Sequence, residues 1–266
     1  MTNPTTEADA TTRATPALLD AVAALVREAN ALVLSIYESG FAVNAKADAS
    51  PVTEADVQAE ALITAGLQRL APDIPLVAEE AVAAAGCVPS CGERFWLVDP
   101  LDGTREFVSR NGEFTVNVAL IEHGEPVLGV VGIPVRGRVY AGARGQGAWV
   151  QDERQGRRAI ACRPVPAEGV TVLASRSHGD EQALRQYLSG RQVAGIVHAG
   201  SSLKLCLIAS GEADLYPRHS RTMEWDIAAG HAVLSAAGGA VLDLDGLPLR
   251  YGKPGLENPH FLARGL

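Results

Sequence analysis

The residues best suited to chemistry in this sequence are acidic side chains at the ends of apolar runs. Asp99 and Asp102 end the run FWLVDPLD (95–102), Glu79 ends an earlier run, and Asp226 opens an Ala-rich helical pattern far downstream. Mg²⁺ prefers a few such carboxylates together with phosphate oxygens, and paired Mg²⁺ ions can activate water for phosphoryl transfer. The sequence therefore predicts one shared Mg²⁺ site suited to phosphate ester hydrolysis.

Each acidic position also has an ordinary structural explanation. Asp99 precedes a proline and Asp102 precedes a glycine, which is typical of turns. Asp226 could cap its helix, and the pair Glu79-Glu80 could lie in a solvated loop. It is the combination of these positions with the strings around them that favours a functional site.

Two motifs resemble the signatures of the inositol monophosphatase superfamily, namely DPLDGT (99–104) and WDIAAG (225–230), in the expected order and separation. Further strings are similar to one branch, the 3′(2′),5′-bisphosphate nucleotidases: NGEFTVNVALIEHG (111–124), SRSH (175–178), GSSLKLC (200–206) and LYPR (215–218). The resemblance extends from about residue 17 to the C-terminus. It departs after Glu80, where an Ala-rich stretch with two cysteines (81–94) replaces the short polar loop usual in that branch.

The resemblance implies roles for individual residues. The implied metal ligands are Glu79, Asp99, Asp102, Asp226 and the backbone carbonyl of Leu101. The implied catalytic residues are Glu79, Asp56 and Thr104. The implied substrate-binding residues are Gly103, Thr104, His178, Ser201, Ser202, Lys204, Arg176 and Arg218. Plainer alternatives remain open: a capping role for Asp56, an N-cap at Ser201, a solvated Lys204 and an ordinary loop position for His178.

The activity implied by the resemblance is hydrolysis of adenosine 3′,5′-bisphosphate to AMP and phosphate, with 3′-phosphoadenylyl sulfate as a second substrate. This would place the protein in sulfur metabolism, at sulfate assimilation, and implies inhibition by lithium. Inositol-1-phosphate or fructose-1,6-bisphosphate phosphatase activity is the nearest alternative. A non-catalytic protein that binds nucleotide bisphosphates, or a membrane-peripheral assembly partner, is the alternative of another class.

Composition limits the partners of this chain. Its 266 residues carry a net charge of −8 with a pI near 5.3, so polymeric nucleic acid and anionic membrane are poor partners. The four cysteines favour ordinary thiols in a reducing compartment, and the N-terminus lacks the pattern of a signal peptide. We expect a cytoplasmic monomer or homodimer with a small-molecule substrate, and peripheral contact with the inner face of the cell membrane stays open.

The elements expected to position the site follow from periodicity. Helices are predicted at 17–38, 53–70, 180–189, 201–210 and 226–237. Strands are predicted at 114–121, 127–133, 138–142, 170–175, 193–199, 213–217 and 240–244. We expect a disordered tail (1–15), an α+β lobe with the metal site (16–165) and an α/β lobe with the substrate residues (166–266). The resemblance implies the layered αβαβα sugar-phosphatase fold for the whole.

Overall fold

The computed structural model describes residues 14–45, 51–152, 154–176 and 181–266. The helices of these residues are α1 (Pro16–Ser39), α2 (Glu54–Leu70), α3 (Glu79–Ala85), α4 (Thr104–Val108), α5 (Glu181–Leu188), α6 (Leu203–Ala209) and α7 (Glu224–Ala236). Most of the predicted tail, residues 1–13, lies outside the described residues. Thr15 caps α1, since its hydroxyl accepts a hydrogen bond from the backbone N–H of Leu18 at 3.2 Å.

The strands form a large sheet, a smaller sheet and a short hairpin. They are β1 (Val43–Ala45), β2 (Pro51–Thr53), β3 (Leu76–Ala78), β4 (Arg94–Asp102), β5 (Thr115–Glu122), β6 (Glu125–Ile133), β7 (Arg138–Ala143), β8 (Gly147–Asp152), β9 (Gly156–Ile160), β10 (Val170–Ser175), β11 (Val193–Ala199), β12 (Leu215–Arg218), β13 (Ala240–Asp243) and β14 (Phe261–Arg264). The seven-stranded sheet has the order β3-β4-β5-β6-β7-β8-β9, and the five-stranded sheet has the order β11-β10-β12-β14-β13.

The large sheet is covered by helices on both faces. Side chains alternate along its strands, so Leu120 and Val130 belong to the core shared with α1 and α2, whereas Ile121 and Val131 belong to the core shared with α6 and α7. That second core continues into the five-stranded sheet through residues such as Phe261. With α5 following β10, the arrangement is the expected layered αβαβα fold.

The first two helices form for reasons visible in their sequences. In α1, apolar side chains recur at spacings of three and four and are buried, as expected for one covered face. In α2, Thr53 and Asp56 form a capping box: the Thr53 hydroxyl accepts from Ala55, and Asp56 Oδ2 accepts the Thr53 N–H at 2.7 Å. The predicted capping role of Asp56 is thereby confirmed.

The second half of the chain differs in one respect from the alternating α/β pattern predicted for it. The strands β10, β11 and β12 pair in parallel, but β14 pairs antiparallel with both β12 and β13. The sheet is therefore mixed, because the C-terminal strand returns directly into it without a crossover helix. The predicted division into lobes at residue 165 stays a proposal. No helix among the described residues is both long and apolar enough to cross a membrane.

Candidate active site

Strand β4 carries two of the predicted ligands to the edge of the core. Its pairing with β5 is irregular between Asp99, which lies opposite Asn117, and Asp102, which lies opposite Thr115. The turn expected at Asp99 is wrong, because the strand runs through Pro100 to Asp102, whereas the turn expected after Asp102 is present at Gly103. An irregular strand end of this kind redirects side chains toward a site. Asp99 is 1 % exposed, and its Oδ1 accepts the Leu101 N–H at 3.0 Å.

Helix α3 presents Glu79 as its first residue, so the alternative of a solvated loop is wrong. Ala78 supplies no side-chain cap. Instead, the carboxylate of Glu60, on α2, accepts the N–H groups of Glu80 at 2.8 Å and Ala81 at 2.9 Å. These are donors that a helix start leaves without intrahelical partners. Glu60 thus fixes the orientation of the short helix that carries Glu79, and sequence reasoning missed it because nothing local marks the contact.

Helix α7 presents Asp226 in its first turn. The Oδ2 atom of Asp226 accepts the backbone N–H of Met223 at 2.8 Å, so the predicted capping interaction is present. The same side chain also meets Glu79 and Asp99: one carboxylate oxygen of each lies within 4.8 Å of those of the other two. Three elements distant in sequence therefore bring three carboxylates together.

The electrostatics of this cluster favour occupation by a cation. Burial and the nearby Glu79 carboxylate hold the pKa of Asp99 well above its ordinary value. Burial and the Asp102 carboxylate do the same to the pKa of Asp226. Buried like charges resist ionisation unless a counter-charge is present. A divalent ion with oxygen ligands fits this donor set, so the acidic cluster could hold a metal.

Asp102 lies beside the cluster and is held by the second half of the chain. Its Oδ2 accepts the backbone N–H of Ser202 at 2.6 Å. Burial raises its pKa to about 6, although the Lys204 ammonium and the Ser202 hydrogen bond oppose the shift. Asp102 therefore joins the acidic cluster to the segment that carries the predicted substrate residues.

Thr104 and Asp56 meet at the start of α4. The Thr104 hydroxyl lies 3.2 Å from Asp56 Oδ1 and 3.3 Å from the Leu101 carbonyl oxygen, either of which can accept its proton. Gly103 precedes it with φ +92°, and a Cβ there would lie 3.3 Å from the Glu113 carbonyl oxygen. This conformation and close approach favour glycine.

A cavity of about 410 Å³ opens over these residues. The sequence-predicted site residues that line it are Glu79, Asp102, Gly103, Thr104, Ser201, Lys204, Arg218 and Asp226. Asp99 and Asp56 lie buried beneath it. The lining also includes residues that were not predicted: Val82, Ala83, Arg105, Glu106, Ser175, Tyr216, Arg221, Thr222, Met223, Trp225 and Ile227. Ser175, Tyr216, Trp225 and Ile227 lie within the quoted motifs, and Arg105 and Glu106 directly follow one, so the motifs were the signal that could have found them.

Ser201 and Lys204 differ from their plainer alternatives. Ser201 is not an N-cap: α6 begins two residues later, and Ser201 has φ +45° with its hydroxyl buried and without a hydrogen-bond partner in the described structure. Lys204 is not solvated but 3 % exposed. Its ammonium donates to the carbonyls of Ala199 at 3.1 Å and Ser201 at 2.7 Å, and burial lowers its pKa to about 8.

Two predicted substrate residues have protein partners instead of a place in the cavity lining. The Ser202 hydroxyl lies 2.6 Å from Asn117 Oδ1 and 2.8 Å from the Thr115 hydroxyl, in a buried polar cluster. Arg176 makes a bidentate ion pair with Glu113 at 2.7 and 2.8 Å. Glu113 also accepts the Gly200 N–H at 2.8 Å. These contacts tie the second half of the chain to the loop before β5.

A further predicted substrate residue, Arg218, is the last residue of β12 in the smaller sheet. Arg218 is buried and donates to the carbonyls of Ser220 and Arg221, both at 3.1 Å, while its side chain lines the cavity. His178 follows β10 but lies outside the described residues. Its predicted role stays untested.

The fold and this acidic site are those of one phosphatase class. The model of the Inositol monophosphatase family matches residues 16–263, and the chain belongs to that family. A Shigella flexneri protein named 3′(2′),5′-bisphosphate nucleotidase CysQ is 48 % identical over 236 residues, covering 88 % of this chain and 94 % of the relative. The Escherichia coli K12 protein of that name is 47 % identical over the same shares.

Solved structures agree with the sequence comparison. The crystal structure of CysQ from Bacteroides thetaiotaomicron, described as a bacterial member of the inositol monophosphatase family, superposes with a TM-score of 0.77 at 36 % identity. The superposition covers 92 % of this chain and 97 % of that one. The resemblance to the nucleotidase branch predicted from the motifs is thereby confirmed.

Proposed function

We propose that this chain is a Mg²⁺-dependent phosphomonoesterase that hydrolyses adenosine 3′,5′-bisphosphate to AMP and phosphate. The observation that carries the proposal is the convergence of the Glu79, Asp99 and Asp226 carboxylates within 4.8 Å at a cavity also lined by Lys204 and Arg218. The names of the relatives support the choice of substrate. Hydrolysis of 3′-phosphoadenylyl sulfate and a place in sulfate assimilation belong to the same proposal.

The metal would be held by the buried carboxylates. We assign Glu79, Asp99, Asp102 and Asp226 as ligands, with the Leu101 carbonyl adding one oxygen. Two or three Mg²⁺ ions bound there would polarise the phosphoryl oxygens and lower the pKa of the attacking water. Inhibition by Li⁺ is a further expectation, which an inhibition curve tests directly.

Asp56 and Thr104 orient the attacking water. Asp56 Oδ1 lies 3.2 Å from the Thr104 hydroxyl and can accept its proton. A lone pair on the Thr104 oxygen is then left to accept a hydrogen bond from water on the cavity side. Thr104 and Glu79 would thus hold the water in line with the scissile phosphoester bond, where correct alignment lowers the barrier. No covalent phosphoenzyme is needed.

The substrate would be bound by groups at both sides of the cavity. The backbone N–H groups of Gly103 and Thr104 would receive the transferred phosphoryl group. The second phosphate requires donors away from the metal ligands, and the lining offers Ser201, Lys204 and Arg218. The Ser201 hydroxyl is the strongest candidate of the three. It is buried and has no hydrogen-bond partner in the described structure, whereas buried hydroxyls normally have one. The proposal keeps three further predicted substrate residues, His178, Ser202 and Arg176. Of these, Ser202 and Arg176 also have the protein partners described above.

Phosphate release tests the proposal and its alternatives together. Adenosine 3′,5′-bisphosphate, inositol-1-phosphate and fructose-1,6-bisphosphate are compared by kcat/KM, with Mg²⁺ and with EDTA. Preference for the nucleotide in the presence of Mg²⁺, with no phosphate release in EDTA, supports the proposal. Preference for a sugar phosphate would keep the metal site but reject the assignment of Lys204 and Ser201. Nucleotide binding without release from any substrate would favour the non-catalytic alternative.

Location and assembly remain predictions from the sequence. We propose a cytoplasmic monomer or homodimer. Sedimentation of the purified chain separates the two assembly states, and fractionation of cells tests the alternative of contact with the inner membrane face.

A further inference from the structure

A second and larger cavity lies on the other face of the large sheet. It occupies about 760 Å³ between α1, the turn at residues 134–136 and the adjoining ends of β7 and β8. This volume is typical of small-molecule sites. The cavity shares no lining residue with the one over the acidic cluster. It belongs to the α1 layer, whereas Asp226 is carried by α7 on the opposite face.

The charge of this cavity is opposite to that of the chain. Four arginines line it, Arg27, Arg136, Arg138 and Arg154, against one acidic residue in the described lining, Asp152. The chain as a whole carries a net charge of −8. A concentration of guanidinium groups in a concave, partly enclosed site attracts and holds anions.

Among the described residues, one of the four guanidinium groups has a carboxylate partner within the cavity lining. Asp152 Oδ2 lies 2.8 Å from Arg138 Nε. Arg27 donates to the neutral amide oxygen of Gln151 at 3.1 Å. Arg136 lies close enough to act on Glu113, but that carboxylate is already bound by Arg176 in a bidentate pair. The lining described here therefore retains an excess of positive charge.

Contacts within the fold hold Arg138 and the backbone of Arg154 in place. Asn30, buried on α1, donates from Nδ2 to the Arg138 carbonyl at 3.3 Å and so fixes the helix against β7. Asp152 holds the Arg138 side chain and also accepts the Arg154 backbone N–H at 2.9 Å. A framework held in place before binding reduces the entropy lost when a ligand is ordered.

The cavity also has an apolar wall, which inorganic anions do not need. Ala31 and Leu34 on α1 and Val135 belong to its lining, and Val135 is 44 % exposed although it is a large aliphatic residue. An exposed aliphatic side chain at the mouth of a cavity can cover an organic group. The lining thus matches a ligand with a compact dianionic end and a less polar remainder.

We propose that this cavity binds a small organic phosphate monoester through Arg27, Arg136 and Arg154. Guanidinium groups pair with phosphate oxygens in bidentate geometry, and the wall formed by Ala31, Leu34 and Val135 packs against the organic portion. The site is independent of the acidic cluster and needs no metal ion.

Calorimetric titration of the full chain with AMP in EDTA tests the proposal. AMP carries the phosphate monoester, and adenosine is the matched probe that lacks it. The test variant is Arg27→Gln/Arg154→Gln, in which both side chains lie outside the apolar core. The matched control is Arg185→Gln/Arg191→Gln, which removes the same charge at positions outside the cavity lining. Asp99→Asn separates this site from the acidic cluster, and circular dichroism verifies folding of each variant.

We expect saturable AMP binding that weakens with added salt, and no binding of adenosine. Affinity should fall on the order of tenfold or more in Arg27→Gln/Arg154→Gln, because charge-assisted hydrogen bonds are lost. Affinity should be unchanged in the control pair and in Asp99→Asn. Absence of AMP binding to the unaltered chain overturns the proposal. So does AMP binding of unaltered affinity in the Arg27→Gln/Arg154→Gln variant.

Discussion

The replacement Asp99→Asn tests two properties of the acidic cluster separately: the mutual repulsion of its carboxylates without metal, and its binding of Mg²⁺. At an effective dielectric constant of about 20, two unit charges 4.8 Å apart repel by roughly 3.5 kcal/mol. Protonation already relieves part of this repulsion, because burial and Glu79 hold the Asp99 pKa high. The metal-free variant should therefore be more stable than the unaltered chain at neutral pH, by on the order of 1 to 3 kcal/mol.

The same replacement removes the counter-charge that a metal requires. A ligand present at about 100 times its Kd stabilises a protein by about 2.7 kcal/mol, which for a chain of this size corresponds to a rise in Tm of roughly 5 to 10 °C. We expect Mg²⁺ to raise the Tm of the unaltered chain by that order. The variant should show little or no rise, and its phosphate release should fall by about 100-fold or more, as expected when a shared ligand is lost.

Differential scanning calorimetry with EDTA and with excess Mg²⁺, beside a phosphate-release assay, measures both effects. Asp20→Asn is the matched control: it makes the same chemical change at an exposed carboxylate that pairs with Arg157, and it should leave the Mg²⁺ response intact. An Asp99→Asn protein that hydrolyses substrate normally at saturating Mg²⁺ would refute the metal assignment. One that is destabilised in EDTA would refute the argument from repulsion.

Three further perturbations follow from the same geometry. The folded-state pKa values of Asp99 and Asp102 are raised, that of Asp102 to about 6, so the folded chain binds more protons than the unfolded chain. Its metal-free stability should therefore fall, and the Mg²⁺-induced rise in Tm should grow, as the pH rises from about 4 to about 6. Asp99→Asn should show a weaker slope in a calorimetric series, and identical slopes would contradict the assignment. Glu60→Gln replaces one carboxylate oxygen by an amide group, which would face a backbone N–H that Glu60 now accepts. The Mg²⁺ concentration for half-maximal phosphate release should therefore rise by about tenfold. An unchanged Mg²⁺ requirement would show that Glu60 does not position Glu79. Gly103→Ala forces a side chain onto φ +92°, so urea unfolding should report a loss of roughly 1 to 3 kcal/mol and kcat should fall, whereas unaltered unfolding would show that the turn tolerates a Cβ.

Much of the architecture follows from local sequence. The apolar spacing of α1 and the Thr53–Asp56 capping box locate the first two helices to within a residue or two. Helix periodicity and capping are set by neighbours along the chain, so sequence reveals them. The strand order and pairing of the smaller sheet were harder to predict. The C-terminal strand β14 was missed, and its antiparallel pairing with β12 and β13 depends on partners distant in sequence.

The acidic residues of the candidate site could be predicted from the sequence alone, because their types and motifs are local: Asp99 and Asp102 lie in one string and Asp226 in another. How those carboxylates meet, and which groups hold them, depends on contacts between elements that are far apart in the chain. Glu60 orients α3 from another helix, and Ser202 holds Asp102 from the second half of the chain. Burial, which raises the pKa of Asp99 and Asp226, likewise arises from packing between layers. Such contacts join residues far apart in the chain, and no spacing within a motif encodes them.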